Sequence, residues 1–502
     1  MNAELLSRIQ FALTASFHFI YPPLSMGLGL MLVVIGILYL RTNDPKWRRL
    51  SFFWVKVYGL IFAVGVATGV VQEFEFGMNW AEYSRFVGNV FGSLLAAEGV
   101  FAFFLEGGFL GLMLFGGNRL GPRLWLFATF MVVLGAHFSA LWIVMAFSWM
   151  QTPAGYTIAT TPAPARAVMT DFWQVVFTPS FESHILHVFL ASWTAGAALI
   201  LSVGAWYALR NRHGELARAM LKLALPIFIV LATANVFLFG ANQALEVTAN
   251  QPLKLASVEG LWKTTSCAPL YLVGWVDQAA QTTTGIPIPC MLSFLAYQDP
   301  QAVVRGIDAF VPAPIPPINL LFQVYHFMFD IGFLLVPIGL LGGLLYAWRG
   351  RLFRTRWLLW LLVASVFLAE AAITAGWWTA EVGRQPWIVY NVMETSRGLS
   401  PTLGAGDVAI SLGMFIALYG LLLALFLFLL NRQIQQGPEP LEAVETVGVG
   451  SLPDTFRDVF RRGDRADLGA GANLDARAST GEASAGGEGA AAFGEGPREN
   501  RP

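Results

Sequence analysis

A carboxylate and a guanidinium stand three residues apart in Trp377-Trp378-Thr379-Ala380-Glu381-Val382-Gly383-Arg384-Gln385-Pro386-Trp387, where a long apolar segment ends. One helical turn puts Glu381 and Arg384 on the same face. Ionisable side chains at membrane depth are costly and usually mark an ion, proton or cofactor site. The plainer reading is a local ion pair anchoring a helix end. Further candidates interrupt other apolar runs: His18, Glu98, Glu106, His137, Ser139, His184, His187, Met328, Asp330 and Glu370. Each has a plainer reading too. A lone His is commonly hydrogen-bonded packing, a Met is commonly core, and Glu370 fits a protonated, hydrogen-bonded carboxyl between helices. His137 and Ser139 fit interhelical hydrogen bonds, and His184 and His187 fit a water interface. Glu98 is harder to explain as packing, because a carboxylate that deep must be protonated, paired or wet.

His and Met are also the axial ligands of a six-coordinate electron-transfer haem. A haem–copper site needs adjacent histidines, and the six His here include no His-His pair. Paired histidines at one helix-depth spacing, as in cytochromes of the b-complex type, are missing as well.

The elements that must position these residues are membrane helices. The 502 residues are 56% hydrophobic and 13% charged, with 17 Trp and 40 Phe, too little charge to cover a soluble surface. The formal charge of -1 argues against a nucleic-acid partner. The chain is expected to be all-α, a polytopic bundle of nine transmembrane helices in a lipid bilayer. Hydropathy places them near 11–40, 52–71, 93–116, 124–147, 184–209, 219–241, 319–347, 357–380 and 408–430. No cleavable signal peptide is expected, since the first apolar run is too long for one. Lys and Arg concentrate in the loops after the first, third, fifth and seventh spans, so the N-terminus is expected on the periplasmic side and the C-terminus in the cytoplasm. The candidates then cluster between the outer face and mid-membrane. Residues 1–431 form the membrane domain, 242–318 an outward loop, and 432–502 a disordered cytoplasmic tail. Both cysteines, Cys267 and Cys290, fall in that loop. An oxidising periplasm favours their pairing.

Up to about Pro401 the sequence resembles subunit I of the cytochrome bd-type quinol oxidases. The segments carrying the resemblance are Leu94-Leu95-Ala96-Ala97-Glu98-Gly99 continuing to Phe103-Phe104-Leu105-Glu106, Phe138-Ser139-Ala140-Leu141-Trp142-Ile143, and Gln251-Pro252-Leu253-Lys254-Leu255-Ala256-Ser257-Val258-Glu259-Gly260. Gly383-Arg384-Gln385-Pro386-Trp387 is the most distinctive. The resemblance implies a terminal oxidase that takes electrons from ubiquinol or menaquinol at the periplasmic side and reduces oxygen to water. It generates a proton gradient without pumping, in the bacterial inner membrane. His187 and Met328 would ligate a low-spin haem b. His18 and Glu381 would serve a high-spin haem b and a chlorin, haem d, with His18 favoured for haem d and a third haem b as the alternative to the chlorin. Glu98 would act at the high-spin pair as ligand or proton donor, with Glu106 and Ser139 leading protons to it. Trp377 and Arg384 would flank the haems, Arg384 answering propionate charge. Lys254 and Glu259 would handle quinol, in a loop of the shorter class. A second membrane subunit is implied as partner, with a small single-helix subunit as an optional third.

Two positions depart from the family pattern. His326 stands where an Arg is common two residues before Met328, which makes His326 an alternative ligand, and Glu394 stands where an Arg is frequent. The rival readings are a proton-coupled transporter using Glu98, Glu106 and His18, and a family member that has lost quinol oxidation. Retention of Lys254 and Glu259 argues against the second.

Overall fold

The computed structural model describes residues 2–117, 119–161 and 163–440. Among these are nine helices long and apolar enough to cross a membrane. They are span 1 (Ala3–Thr42), span 2 (Pro45–Met78), span 3 (Ala81–Phe115), span 4 (Pro122–Gln151), span 5 (Phe181–Leu209), span 6 (Gly214–Asn250), span 7 (Ile318–Ala347), span 8 (Arg356–Val382) and span 9 (Ala405–Gln436). The number matches expectation, but most of the helices run further than hydropathy reads. Span 3 begins at Ala81 rather than near 93, because its first turns are amphipathic and bury Tyr83, Phe86, Val87 and Val90. Span 6 continues to Asn250 through a polar stretch that hydropathy assigns to the loop. Hydropathy averages report lipid-facing apolar length, whereas these extensions are held by packing on one face. Helix also continues to Gln436, five residues beyond the expected domain edge, and the part of the expected tail from 441 onward lies outside the described residues.

Small residues set the centre of the bundle. Gly27 on span 1 faces Gly196 on span 5 so closely that a Cβ on Gly196 would lie 2.1 Å from the Gly27 carbonyl carbon. Close backbone approach of this kind is how membrane helices gain van der Waals contact without a hydrophobic driving force. Span 9 is peripheral, with only 11% of its apolar window buried, so polar ties hold it at both ends. Ser411 donates to Gln10 Oε1 at 2.7 Å on one side. On the other, Tyr207 donates to the Ile434 carbonyl at 2.7 Å, and Lys56 pairs with Glu439 at 2.5 Å.

The 251–317 loop is folded. Helix Pro252–Val258 leads to an antiparallel hairpin, Leu270–Asp277 with Thr282–Ile288, and to helix Met291–Tyr297. Cys267 and Cys290 are bonded to each other, closing a segment that contains the whole hairpin.

Adding a Cβ at the Gly27–Gly196 contact forces overpacking that costs about 1–3 kcal/mol or more. Gly196→Ala should therefore lower the thermal unfolding temperature in detergent. Gly413→Ala, on span 9 with nothing within 4 Å, should leave it unchanged or raise it slightly.

Candidate functional site

One cavity of about 1790 Å³ runs through the bundle, and every residue to which the resemblance gives a role lines it: His18, Glu98, Glu106, Ser139, His187, Lys254, Glu259, Met328, Trp377, Glu381 and Arg384; of the other candidates, His137 does not. Single small-molecule sites are commonly ~300–1,000 Å³, so this volume suits several groups or one very large one.

The side chains around it are held by specific local structure. His18 ends the first helix of span 1, where the chain turns before Tyr21. Its Nδ1 is 2.9 Å from Thr68 Oγ1, and that hydroxyl donates to the Val64 carbonyl at 2.9 Å. The hydroxyl oxygen must therefore accept from Nδ1–H, which leaves Nε2 of His18 with a free lone pair. Gly69 lies beneath the ring, since a Cβ there would approach His18 Cε1 to 3.1 Å. Met328 is similarly backed by Gly376, where a Cβ would come within 2.8 Å of the sulfur.

Two π-helical turns, Glu98–Phe103 in span 3 and Asn235–Gly240 in span 6, border the cavity. Such turns are rare and concentrate at functional sites. The first begins at Glu98, whose Oε1 accepts from Ser139 at 2.6 Å. The second brings Asn235 and Gly240 against His187; Asn235 Oδ1 and His187 Nδ1 face each other, and neither has another partner. His184, one turn earlier, also lines the cavity but is tied through Nδ1 to Ser148 at 2.9 Å.

Glu381 and Arg384 do pair, at 2.6 Å, and Arg384 is only 1% exposed. The pair does not exhaust the guanidinium: Nε reaches the Trp387 carbonyl at 3.3 Å, while Nη1 is buried with no partner. A buried charge-bearing donor left unpaired is costly, and an anionic group in the cavity would satisfy it. Among the described residues no three His, Cys, Asp or Glu side chains converge on one point. Each candidate ligand stands alone, as an axial ligand to porphyrin iron does. The donor set and the cavity fit haem.

Lys254 and Glu259 lie on and just after helix Pro252–Val258, five residues apart and so roughly 140° apart around the axis. Lys254 Nζ reaches Gln251 Oε1 at 3.2 Å, Gln151 Oε1 at 3.3 Å and the Ala380 carbonyl at 3.5 Å. Burial lowers its pKa to about 8, with Glu246 opposing that shift. Glu259 turns the other way, toward Tyr325 and His326, and burial raises its pKa to about 8.

His326, the alternative ligand, does not line the cavity; it occupies a separate pocket on the other side of span 7. Glu370 lies off the cavity as well, and both its carboxyl oxygens are buried without a partner. Glu394 faces Arg397 at 3.9 Å on the exposed rim. The sequence reading missed Glu73, which lines the cavity, and Glu75, which accepts from Thr14 at 2.5 Å beneath it. Their alternation in Gln72-Glu73-Phe74-Glu75 near the end of span 2 was the available signal. The π turns left no signal in composition.

Residues 6–438 match the family model for cytochrome bd terminal oxidase subunit I. The chain is 35% identical to the cytochrome bd ubiquinol oxidase subunit 1 of Bacillus subtilis, over 88% of this chain and 95% of that one. It is 32% identical to the cytochrome bd-II ubiquinol oxidase subunit 1 of Escherichia coli, over 87% and 97%. The solved bd oxidase from Geobacillus thermodenitrificans superposes with a TM-score of 0.81 at 30% identity, covering 87% of this chain and 99% of that one. The chain thus belongs to the cytochrome bd terminal oxidase subunit I family: it is a multi-pass, haem-carrying quinol oxidase subunit of the respiratory chain that works with a second subunit.

Proposed function

We propose that the cavity holds three haems and that its lining residues divide the work as follows. His187 and Met328 hold a low-spin haem b from spans 5 and 7. His18 and Glu381 hold the two high-spin groups, a haem b and haem d, with a third haem b as the alternative to the chlorin. When bound, haem supplies one-electron transfer and the reduction of dioxygen to water. The observation that carries this reading is the unsatisfied Arg384 Nη1 beside a cavity too large for one small ligand. Family membership sets the transporter reading aside, and the retained Lys254 and Glu259 favour an active quinol site over a silent relative.

The protein's own part is to orient, to exclude water and to move protons. Arg384 neutralises propionate charge, and Trp377 packs at the same rim. Glu259 accepts a hydrogen bond and then a proton from quinol, while Lys254 orders the cluster beside Glu381 through Gln151 and Gln251. Ser139 holds Glu98 in place, and Glu106 stands about two turns along the same helix as the preceding proton carrier. In this reading the N-terminus is periplasmic, as the basic loops favour, the haems lie toward the outer face, and the protons for water come from the cytoplasmic side. The setting is the bacterial inner membrane, with ubiquinol or menaquinol as donor and a small single-helix subunit as a further component.

Glu98→Gln should abolish oxygen uptake while leaving the reduced-minus-oxidised haem spectrum close to wild type; normal uptake would remove Glu98 from the proton path. Gly376→Ala should push the Met328 sulfur out of position, converting low-spin absorption to high-spin without loss of total haem. An unchanged low-spin band would remove Met328 as ligand.

The pH dependence follows from the two shifted groups. Glu259 must be ionised to accept a proton, so quinol oxidation should fall as pH drops below about 8. Lys254 must keep its charge, so activity should also fall as pH rises above about 8. The profile of kcat/KM should be bell-shaped and centred there. Lys254→Arg, which keeps its charge at alkaline pH, should extend the upper limb.

A further inference from the structure

We propose that quinol docks its head group in the pocket between the loop hairpin and span 7, arriving directly from the lipid, with Nε2 of His326 accepting a hydrogen bond from one quinol hydroxyl. This rests on the quinol-oxidase reading of Glu259 given above.

The hairpin is fixed along the first turns of span 7. Val276 N–H donates to Asn319 Oδ1 at 3.1 Å, and Gln323 Nε2 donates to the Gly274 carbonyl at 2.8 Å. Gly274 lets the strand lie flat against Phe322, since a Cβ there would stand 3.1 Å from the ring. A membrane-spanning helix thereby carries a β-hairpin at the level of its own outer turns. The outward face of that hairpin is apolar: Val273 is 63% exposed, Trp275 61% and Ile286 62%. On span 7 itself, Leu320, Phe327 and Leu334 are exposed at seven-residue spacing, one continuous stripe along the helix. The hairpin face continues that stripe. An apolar surface that prolongs the lipid-facing side of a span, with a Trp at its edge, belongs in the interfacial zone of the bilayer.

Between hairpin and helix lies a pocket of about 350 Å³, lined among others by Leu272, Val273, Phe322, Phe327 and His326. That is at the small end of the ~300–1,000 Å³ common for ligand sites, the right scale for a single aromatic head group whose tail stays in lipid. Its polar end is specific. Nδ1 of His326 is 2.9 Å from the Phe322 carbonyl, which can only accept, so Nδ1 carries the hydrogen and Nε2 is an acceptor. Nε2 is buried and makes no hydrogen bond of good geometry, although the Tyr271 carbonyl also lies near the ring. Nε2 lies 3.9 Å from Glu259 Oε2, which has no partner of its own, while Tyr325 hydrogen-bonds the same carboxyl group. The Phe322 ring stacks on the imidazole with centroids 3.8 Å apart and fixes its plane. His326 is thus the wall between the lipid-side pocket and Glu259 in the large cavity. It sits two residues from Met328, roughly 3 Å along the helix axis but on the opposite face of span 7, so a head group docked here is about one helix width, roughly 10 Å, from the proposed electron acceptor.

Both natural cysteines are joined to each other, so Val273→Cys gives one free thiol at the pocket mouth. The assembled two-subunit oxidase carrying it, in phosphatidylethanolamine–phosphatidylglycerol vesicles, is assayed with a decyl-tailed ubiquinol before and after reaction with a bulky maleimide. Blocking the mouth should raise KM about fivefold or more, with kcat and the haem spectrum little changed; an unchanged KM at full labelling overturns the proposal. A nitroxide on the same thiol should collide with oxygen far more than with a water-soluble nickel chelate. The reverse order, or collision with neither, overturns the lipid-facing placement. His326→Leu should raise KM more than His326→Gln, which keeps an acceptor, and equal effects would remove the hydrogen bond. If Glu259→Gln stops quinol oxidation while the maleimide has no effect, the pocket fails and the role of Glu259 stands. If neither matters, the underlying reading fails.

Discussion

A guanidinium cannot be buried in a membrane bundle on the strength of one carboxylate. Arg384 is 1% exposed, and its contact with Glu381 leaves Nη1 without a partner. The net worth of such an ion pair is small or negative once desolvation is counted, and an unmatched donor makes it worse. The arrangement becomes reasonable only with a further anion in the cavity, which is what the propionates of the proposed haems would provide. The same logic extends to His187 and to the carboxyls at Glu98 and Glu106. The protein keeps these groups in a low-dielectric interior because a bound group or a transferred proton completes them. The bundle is built to hold that unsatisfied lining open, with glycines bringing spans 1 and 5 into backbone contact and polar ties fixing span 9.

Local irregularity is the second device. A regular helix repeats its side-chain directions every 3.6 residues, whereas a π turn inserts a residue and re-aims those beyond it. Spans 3 and 6 each carry one, at Glu98–Phe103 and Asn235–Gly240, and each borders the cavity beside a residue of the proposed chemistry. Glycines work alongside them. Gly69, Gly240 and Gly376 lie against His18, His187 and Met328, so three of the four proposed ligands are backed by a neighbour lacking a side chain. A ligand squeezed from behind in this way loses little further entropy when it binds iron.

The fold was legible because bilayer physics leaves few options: nine apolar runs became nine helices among the described residues. Helix ends were legible only where hydropathy and packing agree. At Ala81–Phe91 and at Ala241–Asn250 packing extends the helix beyond the apolar run, and no average over apolarity can see that. The site residues were legible as costly polar interruptions, which is why His18, Glu98 and Glu381 stood out. Glu73 was overlooked because it falls near a span end, where a charge looks ordinary. The π turns were invisible because their sequence is simply helical. His326, an alternative ligand because it replaces a common Arg two residues before Met328, could not be placed from sequence: two residues on a helix differ by roughly 200° in direction, and the two side chains face different pockets.

That divergence carries a consequence for how the quinol segment works. Lys254 and Glu259 are close in sequence but point into different surroundings, Lys254 toward the Gln151–Ala380 end of span 8 and Glu259 toward Tyr325 and His326 on span 7. A head group of single-ring size cannot satisfy both from one position without rearranging the helix between them. Lys254 is already saturated by three oxygen acceptors, whereas Glu259 Oε2 and His326 Nε2 are not. Unsatisfied atoms, rather than charged ones, show where a ligand is missing. On that criterion the proposed docking place of the substrate is at span 7, and Lys254, held by Gln151, Gln251 and the Ala380 carbonyl, would serve as the fixed charge that ties the loop to the end of span 8.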